Sequence, residues 1–204
     1  MKWELQNQRQ GVQAWCNVPG MFTPPELDAI ETLAAEIPAQ AAVVGGKGVR
    51  DLMTEGEIKT EVRDSDVRWI EPHASREWLF QRIDEIVTQV NAQHFGLDLA
   101  SFAAMQFTEY RGAVGGHYGA HIDSGYGESA GRHRKLSLSL QLSDPTAYEG
   151  GVLALYPEGL KPVEIEKARG LITMFRSHVI HEVTPVSSGC RRSLVVWIEG
   201  PPLR

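Results

Sequence analysis

His121 and Asp123 stand two residues apart, and His181 follows far downstream. In an extended strand, residues two apart share a face. His121 and Asp123 would then present an imidazole and a carboxylate side by side, and a histidine from a second strand would complete three donors. Two nitrogens and one oxygen leave three coordination positions open, which suits non-haem Fe(II) working on oxygen. The same three ligands would also serve a zinc hydrolase or a non-catalytic metal-binding sensor. Arg191 and Ser193 separate these readings. They share one strand face in the segment after His181, and a planar guanidinium grips a carboxylate through two parallel hydrogen bonds. A dicarboxylic co-substrate needs such a cation; a zinc hydrolase does not. Arg192, on the opposite face by the two-residue period, reads as a solvated charge. Any one of the seven histidines alone is an ordinary surface or core residue. The combination carries the inference.

These residues need strands to hold them and helices to back the strands. Thr23-Pro24-Pro25-Glu26 is a helix start, with a capping threonine, prolines tolerated in the first turn and a glutamate at the capping-box position. Leu27, Ile30, Leu33, Ala34 and Ile37 fall on one face, and Pro38 ends the helix. A second amphipathic helix over about 76–94 has the stripe Leu79, Ile83, Ile86, Val87 and Val90, with Gly96 as its stop. A short strand is expected around Val67–Ile70. After Gly96 the period becomes that of strands, at about 103–110, 116–123, 135–143, 151–156, 163–165, 171–175, 180–185 and 191–199. Two helices followed by a run of strands is an α+β order. The strand count suits a two-sheet jelly roll with the helices on one outer face. In Leu136-Ser137-Leu138-Ser139-Leu140-Gln141-Leu142, the leucines are expected beneath the helices, and Ser139 and Gln141 toward a polar site.

At 204 residues the chain fits one domain, 1–204, with a helical scaffold over about 23–96 and a β core over about 101–200. A formal net charge of -6 and the lack of a basic patch argue against nucleic acid, a nucleobase oxygenase included. That sign suits a neutral or cationic substrate. Cys16 and Cys190 make no disulfide framework, and plain thiols suit a reducing compartment. The polar N-terminus does not read as a signal peptide, and no apolar run is long enough to span a bilayer. The expectation is a soluble cytoplasmic protein without a membrane partner. Residues 42–64 are glycine-rich and charged and are expected to form a mobile lid over the site.

From Gln106 to Ile198 the chain resembles the Fe(II)- and 2-oxoglutarate-dependent dioxygenases, and among them the prolyl 4-hydroxylase-like group. The matching stretches are 110–123, Tyr148-Glu149-Gly150-Gly151-Val152-Leu153, and 181–197. Residues 63–70 also resemble the strand entering the site of the oxygen-sensing prolyl hydroxylases. The resemblance implies a double-stranded β-helix with Fe(II) held by His121, Asp123 and His181. It implies 2-oxoglutarate bound by Arg191, with Ser193 and Tyr110. Gln141 stands where relatives often carry a tyrosine that helps to hold this co-substrate, and Arg191 where many prolyl hydroxylases carry lysine. Tyr118, Trp197, Arg63 and Trp69 are expected around the substrate pocket. The reaction implied is hydroxylation of an aliphatic C–H bond on a prolyl residue of a peptide or protein, with release of succinate and CO2. A free amino acid or another small molecule is the alternative substrate.

Overall fold

The computed structural model describes residues 13–43, 59–124 and 131–202. Helix α1 (Pro24–Ala35) starts as its sequence dictates. The Glu26 carboxylate accepts the Thr23 backbone N–H at 2.7 Å and its hydroxyl at 2.8 Å. Helix α2 (Glu77–Val90) follows a single 3-10 turn and runs on into a π turn at Asn91–Phe95. Gly96 stops it in the left-handed region, at φ 59°.

The strands form two antiparallel sheets. Among the described residues the larger has the order β1 (Trp15–Val18), β11 (Ile172–Arg176), β7 (His133–Gln141), β13 (Val186–Gly200), β5 (Met105–Arg111), β4 (Asp66–Ile70) and β2 (Gln40–Ala41). Strand β8 (Tyr148–Gly150) pairs with the start of β13. The smaller sheet has the order β10 (Val163–Glu164), β9 (Leu153–Tyr156), β12 (Ile180–Val183), β6 (His117–His121) and β3 (Arg63–Asp64). This is the α+β jelly roll that the strand count predicts, and the double-stranded β-helix that the resemblance implies.

Alternation assigns each face of the large sheet. Leu136, Leu138, Leu140 and Leu142 on and just after β7, with Leu194, Val196 and Ile198 on β13, pack against Leu27, Ile30, Leu79, Ile83, Ile86 and Val90 of the helices. Each such side chain contributes about 1.5–3 kcal/mol on burial. On the other face, Tyr110 and Phe175 meet Leu153, Leu155 and Val183 of the small sheet. Ser137, Ser139, Gln141, Arg191 and Ser193 are buried on that side.

Three local expectations change. Asp123 is not on a strand: β6 ends at His121, and the Asp123 backbone N–H is held by the Ser177 carbonyl at 2.9 Å. The segment 63–70 is two strands, not one; Ser65 carries the chain from the small sheet to the large one. Strands β1 and β2 were not anticipated, because four and two residues are too short for a period to show. Of the expected lid, 44–58 lies outside the described residues. Among those described, no helix is long and apolar enough to cross a membrane.

Candidate functional site

His121 and His181 face each other across the β6–β12 pairing. Their ring centroids are 4.1 Å apart. The turn after β6 brings in Asp123, with Oδ1 at 3.7 Å from His121 Nε2 and Oδ2 at 3.5 Å from His181 Nε2. One donor atom from each of the three lies within 4.8 Å of the others. His121 Nδ1 bonds the Gly119 carbonyl at 2.8 Å, and His181 Nδ1 the Val179 carbonyl at 3.0 Å. A carbonyl only accepts, so Nδ1 carries the proton in both rings and Nε2 keeps a lone pair for a metal. Burial and the neighbouring His181 push His121 from the usual 6.5 down to about 4, so it is neutral near pH 7. Burial alone would raise the Asp123 carboxyl. The pull of the two imidazoles when they carry charge, and the Ser137 hydroxyl that donates to Oδ2 at 2.7 Å, outweigh that and hold it below the usual carboxylate range. The donor set fits Fe(II).

These residues open into a cavity of about 430 Å³, its mouth included. Tyr118 stacks on His121 with ring centroids 3.6 Å apart. In a regular strand, residues three apart face opposite ways. Here β6 takes three steps, Tyr118 to His121, against two on β12, His181 to Val183. The bulge brings both rings to one side. Arg63 lies over Tyr118, its Cζ 4.5 Å from the ring centroid, and also lines the cavity. Trp197 is on the wall, and its indole N–H is buried without an acceptor among the described residues. Trp69 lies beside Trp197, 6.1 Å away between ring centroids, and does not itself line the cavity.

At the inner end Arg191 is 3 % exposed and, among the described residues, forms no ion pair. Its Nη1 donates to Ser193 Oγ at 3.2 Å, and its Cζ sits 5.4 Å from the Tyr110 ring centroid. Gln141 points to the same place, and its Nε2 donates to Tyr148 Oη at 2.9 Å. Burial raises the Tyr148 pKa, so it remains a phenol whose own proton is free to donate. Tyr148 and Ser137 were missed in the sequence. Ser137 was legible, being on the same face as Ser139 and Gln141. Tyr148 was not, because it stands on the three-residue strand β8, too short for a period to show. A Cβ on Gly151 would meet Arg191 Cδ at 3.1 Å and Val186 Cγ2 at 2.8 Å. Arg192 takes the opposite face as expected, but it is no freely solvated charge: its Nη1 is 3.3 Å from Glu31 of α1 and its Nε is buried.

Residues 105–199 match the family model of the 2OG-Fe(II) oxygenase superfamily. The chain is 39% identical over 99 residues to a PKHD-type hydroxylase of Acidovorax ebreus (strain TPSY), covering 46% of this chain and 42% of the relative. It is 39% identical over 89 residues to one from Synechococcus sp. (strain CC9605), covering 44% and 39%. The chain thus spans about two fifths of the length of these curated relatives. Among solved structures, a Pseudomonas putida prolyl-4-hydroxylase superposes with a TM-score of 0.68 at 21% identity, over 93% of this chain and 94% of that one. A prolyl hydroxylase of Trichoplax adhaerens, in complex with a hypoxia inducible factor oxygen degradation domain peptide fragment, gives 0.66 at 18% identity, over 91% and 83%. At those identities the likeness concerns the fold.

Proposed function

We propose, from the match of residues 105–199 to the 2OG-Fe(II) oxygenase superfamily, that the chain is such an oxygenase and hydroxylates an aliphatic C–H bond on a prolyl residue of a peptide or protein. The carrying observation is a His-Asp-His donor set sharing one cavity with a buried arginine that no acidic side chain among the described residues neutralises. When bound, Fe(II) with 2-oxoglutarate supplies the oxygen chemistry: dioxygen gives one atom to the substrate C–H and one to succinate, and CO2 leaves.

The chain's own residues supply position. His121, Asp123 and His181 would hold the metal. The Gly119 and Val179 carbonyls and the Ser137 hydroxyl keep the three donors oriented. Arg191 and Ser193 receive the distal carboxylate of 2-oxoglutarate, with Tyr110 beside them, and Tyr148 replaces by its hydroxyl what Gln141 lacks. Leu153, Phe175 and Val183 exclude water from the space between. Tyr118, Trp197 and Arg63 surround the substrate, and Trp69 supports Trp197.

The prolyl peptide part rests on likeness to proteins described as prolyl hydroxylases. Both cysteines are free, which accords with a cytoplasmic setting in the same proposal. The test is succinate release in air with Fe(II) and 2-oxoglutarate, screened against proline-containing peptides for a gain of one oxygen in mass. Stimulation by peptides supports the reading. Succinate release that no peptide stimulates removes its peptide part.

A further inference from the structure

Arg63 is the second buried cation in the cavity, 6 % exposed. Its Nε donates to Ser65 Oγ at 2.9 Å. Its face lies on Tyr118, which in turn lies on the ligand His121. Among the described residues it forms no ion pair, and no hydrogen-bond partner is seen for its two Nη groups. The described residues lining the cavity include one acid, Asp123, which faces the two imidazoles.

The charges can be followed on the reading given above, on which this step rests. The two positive charges of the metal and the one of Arg191 are balanced by Asp123 and the two carboxylates of 2-oxoglutarate. Among the described residues, nothing compensates Arg63. A buried cation without a counter-ion is costly, and a guanidinium whose Nε is engaged still offers a planar edge of two amino groups. That edge matches the two oxygens of a carboxylate. We infer that Arg63 is a substrate-carboxylate site, and that the substrate carries an anionic carboxylate beside the C–H bond to be hydroxylated. The acidity of the whole chain does not extend to this pocket, so the neutral or cationic substrate read from net charge is replaced by an acidic one. Such a carboxylate can belong to a small free acid or to the C-terminus of a peptide.

The probes are N-acetyl-L-proline and N-acetylglycyl-L-proline, each paired with its C-terminal amide. Binding is measured by calorimetry on the full chain, loaded with Zn(II) and 2-oxoglutarate in place of the reactive centre, and again without metal. At least one acid should bind about tenfold or more tighter than its amide, as a charge-assisted hydrogen-bonded pair requires. That preference should fall below about twofold in Arg63→Gln and survive in part in Arg63→Lys. A preference for acetylproline alone identifies a small acid, and one for the dipeptide alone a peptide terminus; either supports the site. Equal binding of acids and amides, no binding by any probe, or an undiminished preference in Arg63→Gln overturns it. Failure of Zn(II) or 2-oxoglutarate to bind counts against the oxygenase reading instead, and the metal-free series still scores Arg63.

Discussion

The two faces of the large sheet are built from the same strands and do opposite things. On β7 the leucines at 136, 138 and 140 join the helix-covered core, while Ser137, Ser139 and Gln141 between them are buried against the other sheet. On β13, Leu194, Val196 and Ile198 go to the helices, and Arg191, Ser193, Val195 and Trp197 line the cavity. Because the side-chain period is two, a shift of one residue in register would exchange the sets. The stabilising layer therefore fixes the reactive one. Leucines packed under α1 and α2 cannot move outward without losing their burial, and this holds the arginine and serines inward. The arrangement separates affinity from stability, which makes the comparison breakable one face at a time.

The largest effect is expected on the cavity side. Asp123→Ala should cut turnover by more than roughly a hundredfold, the upper range for outer-shell partners that matter less than a ligand. Its midpoint of thermal unfolding should stay near that of the wild type; joint loss of iron and fold would erase the separation. On the helix side Leu138→Ala should cost about 2–5 kcal/mol of stability, read by urea unfolding. The folded fraction should keep its iron stoichiometry and its 2-oxoglutarate requirement.

Neighbours on β13 sharpen the contrast. Arg191→Ala should raise the 2-oxoglutarate concentration needed for half-maximal turnover roughly a hundredfold, the cost of leaving one charge of a buried pair alone. Arg191→Lys should do less. Arg192→Ala, which removes a half-exposed contact with Glu31, should change that requirement less than about twofold. Exchange of these behaviours would mean the opposite register. The smallest of the cavity-side effects belongs to Ser137→Ala, which removes the hydroxyl on Asp123 Oδ2. Iron affinity should fall about tenfold, with the 2-oxoglutarate requirement unchanged once iron saturates.

What was legible in the sequence follows the same division. Both helices, the alternation of β7 and the face shared by Arg191, Ser193 and Trp197 express local periods, and a period survives without knowledge of its partners. Tyr118 beside His121 depends on a bulge that appears only when β6 meets β12. Asp123 past the strand end, Tyr148 on a three-residue strand against β13 and Arg63 left without a counter-ion among the described residues depend on contacts between segments far apart in sequence. No local pattern encodes them.

The central claim is that the cavity between the sheets binds 2-oxoglutarate through both a metal held from the small sheet and Arg191 of the large one. Anaerobic equilibrium dialysis with 2-oxoglutarate tests it without turnover. The wild-type chain should retain one equivalent with Fe(II) present, and much less when Fe(II) is omitted or when Arg191 is alanine; Arg192→Ala should behave as wild type. Retention that is the same with and without Fe(II), and the same in Arg191→Ala, would contradict the account.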